Sequence, residues 1–150
     1  ILGALIGDER PVDDVAVMLV KRDPRPSTAL EFAVEARARS LVVIRRALSR
    51  WLDDLEIPRA TALEIVTAVS EAAANAVEHA YGPAGGQLAV AAERSSDALE
   101  VLVRDQGRWR GASRGDRGHG LRLIRSLMDE VHVDASDGGT VVRMRRRLTP

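Results

Sequence analysis

From Arg37 to Val77 apolar residues return every three or four positions, and from Gln87 onward they return every second position. This change of period constrains the chain more than any other feature, because a helical stripe cannot serve as a strand face, nor a strand face as a stripe. Leu41, Ile44, Leu48, Leu52 and Leu55 form one helical stripe between Arg37 and Leu55. "EIPRA" separates it from a second helix, whose first turn suits Pro58. The buried side of that helix is Ile65, Val66, Val69, Ala73, Ala76 and Val77. Gly82-Pro83 and Gly85-Gly86 stop it. Gln87–Arg94 and Ala98–Asp105 then alternate as strands around a short "SSD" turn. "HGLRLIRSLMDE" resumes a helix with Leu121, Ile124, Leu127 and Met128 on one face. "VHVDAS", Gly138-Gly139 and "TVVRMRRRL" read as a second strand pair, and "TALEFAVEA" as a strand with Leu30, Phe32 and Val34 to one side. The order strand, helix, helix, strand, strand, loop, helix, strand, strand predicts an α/β fold. It is a two-layer sandwich in which helices cover one face of a mixed, mostly antiparallel sheet.

The 150 residues suffice for one domain with a sizeable core, and a hydrophobic fraction of 45% excludes a disordered chain. Lys plus Arg balance Asp plus Glu at 22 each, so no general charge drives binding to nucleic acid or an acidic membrane. No apolar run reaches the ~20 residues of a membrane span. Without cysteine, disulfides, zinc-thiolate sites and thiol catalysis are excluded, and a reducing compartment fits. "DDVAVMLVKR", Asp13 to Arg22, is strand-like, and the two prolines of "DPRPS" make a linker after it. The start has neither a basic leader nor an initiator Met, and reads as a chain cut from something longer.

Several polar groups stand out against this frame. Glu71, Asn75 and His79 are four residues apart, so each lies only about 40° around the helix from the last. Such a stripe is commonly just a solvated face. It is also what a site needs: a carboxylate able to take a proton and an amide oxygen suited to Mg²⁺. "DQG", Asp105 to Gly107, closes a strand, where Asp can accept from an exocyclic amine and Gly admits a ligand to the backbone. "QGRWRGASRGDRGHG", with five glycines and four arginines, reads as a mobile loop. It ends in "RGHGL", where free N–H groups of a helix start can receive an anion. Thr140 follows Gly138-Gly139 and offers a hydroxyl.

Taken in order, Glu-x-x-x-Asn-x-x-x-His, Asp-x-Gly, Gly-x-Gly-Leu and Gly-Thr resemble the GHKL (histidine kinase-like) ATPase superfamily. The match is closest to its small serine-kinase branch, the bacterial anti-sigma factors, and extends over about residues 25 to 148. The tail "LMDEVHVDASDGGTVVRMRRRL" is similar to that branch too. The resemblance implies the Bergerat ATP-binding fold over residues 29–150, binding of ATP and Mg²⁺, and a cytoplasmic location. It implies Asn75 as the Mg²⁺ ligand, Glu71 as the base that deprotonates a serine hydroxyl, and His79 on the phosphate side. Asp105 and Thr140 would hold adenine with Gly107 beside it. Arg117, Gly118, His119, Gly120 and Leu121 would lie along the phosphates. The implied activity is transfer of phosphate to a Ser or Thr of a STAS-type anti-anti-sigma antagonist by a protein that also binds a sigma factor. A non-catalytic ATP-binding module acting through partner binding alone is the alternative. Domains of this branch often dimerise, so a homodimer is among the expected assemblies; nucleic acid is not an expected partner.

The chain departs from the family pattern at "DQGRW", where Trp109 stands in place of a glycine. Arg108, Arg110 and Arg114 read either as a positive lid or as plain surface arginines. Residues 1–22 resemble the last strand of a PPM-type, sigma-regulating phosphatase, with Asp13 and Asp14 at its metal pair and 23–28 as linker. The rest of that domain is absent, and no phosphatase activity is expected.

Overall fold

The computed structural model describes residues 27–79, 85–107 and 117–148. The expected phosphatase remnant at 1–22, most of the linker, and Arg108, Trp109, Arg110 and Arg114 lie outside them. The elements are β1 (Ala29–Glu35), α1 (Ser40–Asp54), α2 (Arg59–His79), β2 (Gln87–Arg94), β3 (Ala98–Asp105), α3 (Arg117–Leu127), β4 (Glu130–Ser136) and β5 (Gly139–Arg147). The five strands form one sheet in the order β1-β2-β3-β5-β4. Each pairing is antiparallel, so the sheet expected to be mixed and mostly antiparallel is antiparallel throughout these residues.

Alternation along the strands separates two faces. Val34, Leu88, Val90, Leu99, Val101, Val103 and Met144 point toward the helices and are at most 4% exposed. The other face carries Glu31, Ala91, Glu100, Leu102, Arg143 and Arg145. Arg145 reaches Asp97, Glu100 and Glu130 at 3.5, 3.8 and 3.5 Å.

α1 presents Ile44, Leu48 and Leu52, all fully buried, and Trp51 at 6% exposed. Its end is a Schellman turn: Ile57 N–H donates to Leu52 O at 3.0 Å and Glu56 N–H to Asp53 O at 2.9 Å. Glu56 accordingly takes the left-handed conformation, φ 55°, usually reserved for glycine. α2 starts after Pro58, whose carbonyl accepts the Ala62 N–H. Its contact face is largely alanine, with Ala68, Ala72, Ala73 and Ala76 at most 4% exposed. Arg146 of β5 ties α2 down through Glu64 at 2.6 Å and reaches Asp129 at 3.5 Å. α3 begins at Arg117, two residues before the helix expected from His119, so Gly118 and Gly120 stand in its first turn and not in a loop. No helix among the described residues is long and apolar enough to cross a membrane.

Leu48 lies at the centre of the core, whereas Leu63 on α2 is 67% exposed. Leu48→Ala is expected to cost about 2–5 kcal/mol in urea unfolding, and Leu63→Ala about 0.5 kcal/mol or less.

Candidate functional site

At one end of the sheet α2 and α3 meet β3 and β5 around a narrow cavity. Its walls are apolar: Ala72 and Ala76 of α2, Leu121 and Ile124 of α3, Val103 of β3, Val142 of β5. Val133 of β4 closes one side, and the polar lining is Asn75, Asp105 and Thr140. A largely apolar slot with a few convergent polar groups suits a flat ligand with one polar edge.

Asp105 is the last residue of β3 and sits directly opposite Thr140 in the β3–β5 register. They are 4% and 2% exposed. The Gly107 N–H donates to Asp105 Oδ1 at 3.1 Å and the Thr140 N–H donates to the same oxygen at 3.4 Å. Burial raises the Asp105 pKa above the ordinary 3.8, and the two backbone hydrogen bonds pull against that rise. The Thr140 hydroxyl is buried with no hydrogen-bond partner. A buried polar atom left unmatched costs stability unless a ligand or water meets it. A carboxylate acceptor and an unsatisfied hydroxyl side by side in an apolar slot suit a flat ligand edge that carries both a donor and an acceptor.

Gly139 makes this pair feasible. It takes φ 127°, and a Cβ there would run into the Asp105 carbonyl oxygen and stand 2.8 Å from Gln106 Cα. Only glycine combines that dihedral with that approach. Gly138-Gly139 reads as a turn in sequence, and Gly138 stands in one; the contact of Gly139 with Asp105 joins residues distant along the chain, and the paired glycines before Thr140 are its only trace.

Glu71 and Asn75 lie on the half-buried side of α2 facing the first turn of α3. Asn75 lines the cavity, and Gly120 packs against the side chains of both. Among the described residues no group of three His, Asp or Glu could cage a metal. Asn75 would therefore hold Mg²⁺ only together with phosphate oxygens and water, the usual habit of that ion. Of the other expected site residues, Leu121 lines the cavity and Gly107 is buried beside Asp105. His119 is exposed on α3. His79 closes α2 and Arg117 and Gly118 open α3; the side chains of His79 and Arg117 lie outside the described set. Ala72 also belongs to the lining, one turn after Ala68, and the sequence reading did not single it out.

Below about pH 3.8 the Asp105 carboxyl is protonated whether the chain is folded or not; above its raised folded value the fold holds a desolvated carboxylate. The folded state binds the proton more tightly, so this group weakens the fold progressively as pH rises through that window. Asp105→Asn keeps an acceptor for the two N–H groups and removes the charge. Its urea midpoint relative to the parent chain is expected to rise between about pH 3 and pH 7; a difference flat with pH would contradict the burial of a charged carboxylate.

The histidine kinase-like ATPase domain family matches residues 34–146. The chain is 33% identical over 132 residues to the serine-protein kinase RsbW of Bacillus pumilus, covering 75% of this chain and 82% of that protein. It is 31% identical over 141 residues to the serine-protein kinase RsbW of Halalkalibacterium halodurans, covering 83% and 85%. The crystal structure of the RsbU and RsbW domains of Rv1364c from Mycobacterium tuberculosis superposes with a TM-score of 0.69 and 25% identity over 83% of this chain. This chain spans 34% of that longer one. The cavity geometry and these similarities agree: the chain belongs to the histidine kinase-like ATPase domain family, among its serine-protein kinases of the RsbW type.

Proposed function

We propose that the domain transfers the γ-phosphoryl group of ATP to a serine or threonine of a STAS-type anti-anti-sigma antagonist in the cytoplasm, and that it also binds a sigma factor. The observation that carries this reading is the placement of Glu71. It projects one turn before Asn75, a cavity residue, and against the first turn of α3, whose N–H groups favour phosphate. A module that only held nucleotide would have no use for a carboxylate there.

Asp105 accepts from the exocyclic amine of adenine, the Thr140 hydroxyl meets the same edge, and Gly107 lies beside the base. Gly118, His119, Gly120 and Leu121 run along the phosphates through the backbone, with Arg117 and His79 flanking them. When bound through Asn75, Mg²⁺ would neutralise phosphate charge. Glu71 takes the proton as the antagonist's hydroxyl oxygen bonds to the γ-phosphorus and the bond to the β-phosphate oxygen breaks, with ADP leaving. The phosphate adds about −1.5 to −2 charge to the antagonist, enough to break a docked interface. The described walls enclose about 30 Å³, room for a water or two.

For residues 1–22 we propose the end of a PPM-type phosphatase domain, joined by a linker to a kinase domain at 29–150. The Mycobacterium tuberculosis chain, which carries RsbU and RsbW domains together, supports a second domain beside this one.

Incubation with ATP, Mg²⁺ and a candidate antagonist, followed by intact mass, is expected to show phosphoserine or phosphothreonine. Glu71→Ala should lower transfer by about 10²-fold or more and leave ADP affinity within about threefold. Tight nucleotide binding with no transfer would make the domain a non-catalytic ATP module. Loss of both in the variant would make Glu71 structural.

A further inference from the structure

Gly120 is buried between α2 and α3, and the atoms around it are the end groups of two α2 side chains. A Cβ built there would stand 2.9 Å from Asn75 Nδ2 and 3.4 Å from Asn75 Oδ1, and would overlap Glu71 Oε1. Backbone packing alone does not explain this glycine, since its conformation is helical and open to any residue. Nor is Glu71 pinned by charge, because no ion pair or hydrogen bond holds its carboxylate among the described residues. The Glu71 carboxylate rests in the space that a side chain at residue 120 would take.

We propose that Gly120 is a positioning residue for Glu71: the missing side chain leaves the space in which the carboxylate stands within reach of the transferred group. This rests on the kinase reading above and deepens it. An alanine at 120 would meet the far ends of two flexible side chains, so Glu71, the nearer, would swing aside, Asn75 would give by less, and α3 would stay in place. The consequence is a separation of effects. Stability is spared and the chemical step suffers most, because displacing a reacting group by about 1 Å can cost about 10²-fold; nucleotide affinity falls only as far as Asn75 shifts. A glycine serving only to admit phosphate would give the opposite split, weakening nucleotide affinity first.

The test compares Gly120→Ala, Glu71→Asp and the double variant. Gly120→Ala is expected to lower kcat at least about tenfold while KM for ATP changes by a smaller factor and the urea midpoint is unchanged or raised. Asp at 71 is one methylene shorter and clears the added methyl. In that background Gly120→Ala should cost less than about a further twofold in kcat. Equal losses in both backgrounds, or a raised KM with kcat intact, would overturn the proposal. The NMR signal of the Glu71 carboxyl carbon reads the displacement without turnover. It should move in Gly120→Ala, and an unmoved signal overturns the positioning role even in a chain that proves not to be a kinase.

Discussion

α2 approaches the sheet and α3 largely through residues that are mostly backbone. Ala68, Ala72, Ala73 and Ala76 turn toward the sheet and α3, and Gly120 meets the helix where its polar stripe begins. Short side chains let packed elements come close, and in an interior at crystal-like density an added methylene is felt. The close approach places chemistry as well as core. With Ala72 and Ala76 lining the cavity, Asn75 of the same helix faces the wall that carries Asp105 and Thr140. Larger residues on this face of α2 would fill the slot and hold Glu71 and Asn75 farther from the end of β3.

The other side of the site is polar where a core should be apolar. Asp105 is buried as a carboxylate, and only two backbone N–H groups offset its desolvation. Thr140 keeps a buried hydroxyl without a partner, and Gly139 holds a dihedral that other residues avoid. Each feature weakens the free fold, and each makes sense with a ligand whose donors and acceptors complete the set. Local rules broken together in one place are the signature of a binding site.

Much of this architecture was legible because hydrophobic period is a local property. β2 and β3 occupy the residues where alternation predicted them, and the stripe from Ile44 to Leu55 is buried. The order of the polar motifs located Asp105, Thr140 and Asn75, which the fold brings to one cavity. What escaped the sequence is tertiary. The approach of Gly139 to Asp105 and of Gly120 to Glu71 joins residues more than thirty positions apart in one case and nearly fifty in the other. Neither leaves a periodic trace. The start of α3 was misplaced because "RGHG" is polar and glycine-rich: such a first turn has no apolar stripe by which to be seen.

The two ends of the helical layer are held differently. At the far end Asp129, just beyond α3, donates its N–H to Arg145 O at 2.9 Å and accepts the Arg147 N–H at 2.7 Å. Arg146 spans from there to Glu64 of α2, and at 27% side-chain exposure it is better shielded from water than the other arginines of β5. Shielded pairs resist screening where exposed ones do not. At the cavity end α3 meets α2 through Gly120, and Leu121 and Ile124 face the slot. Parting α3 from the sheet there would break dispersion contacts. Parting it at Asp129 would break charged and backbone hydrogen bonds that no ligand restores. α3 is therefore tied to the sheet more firmly at Asp129 than at the cavity.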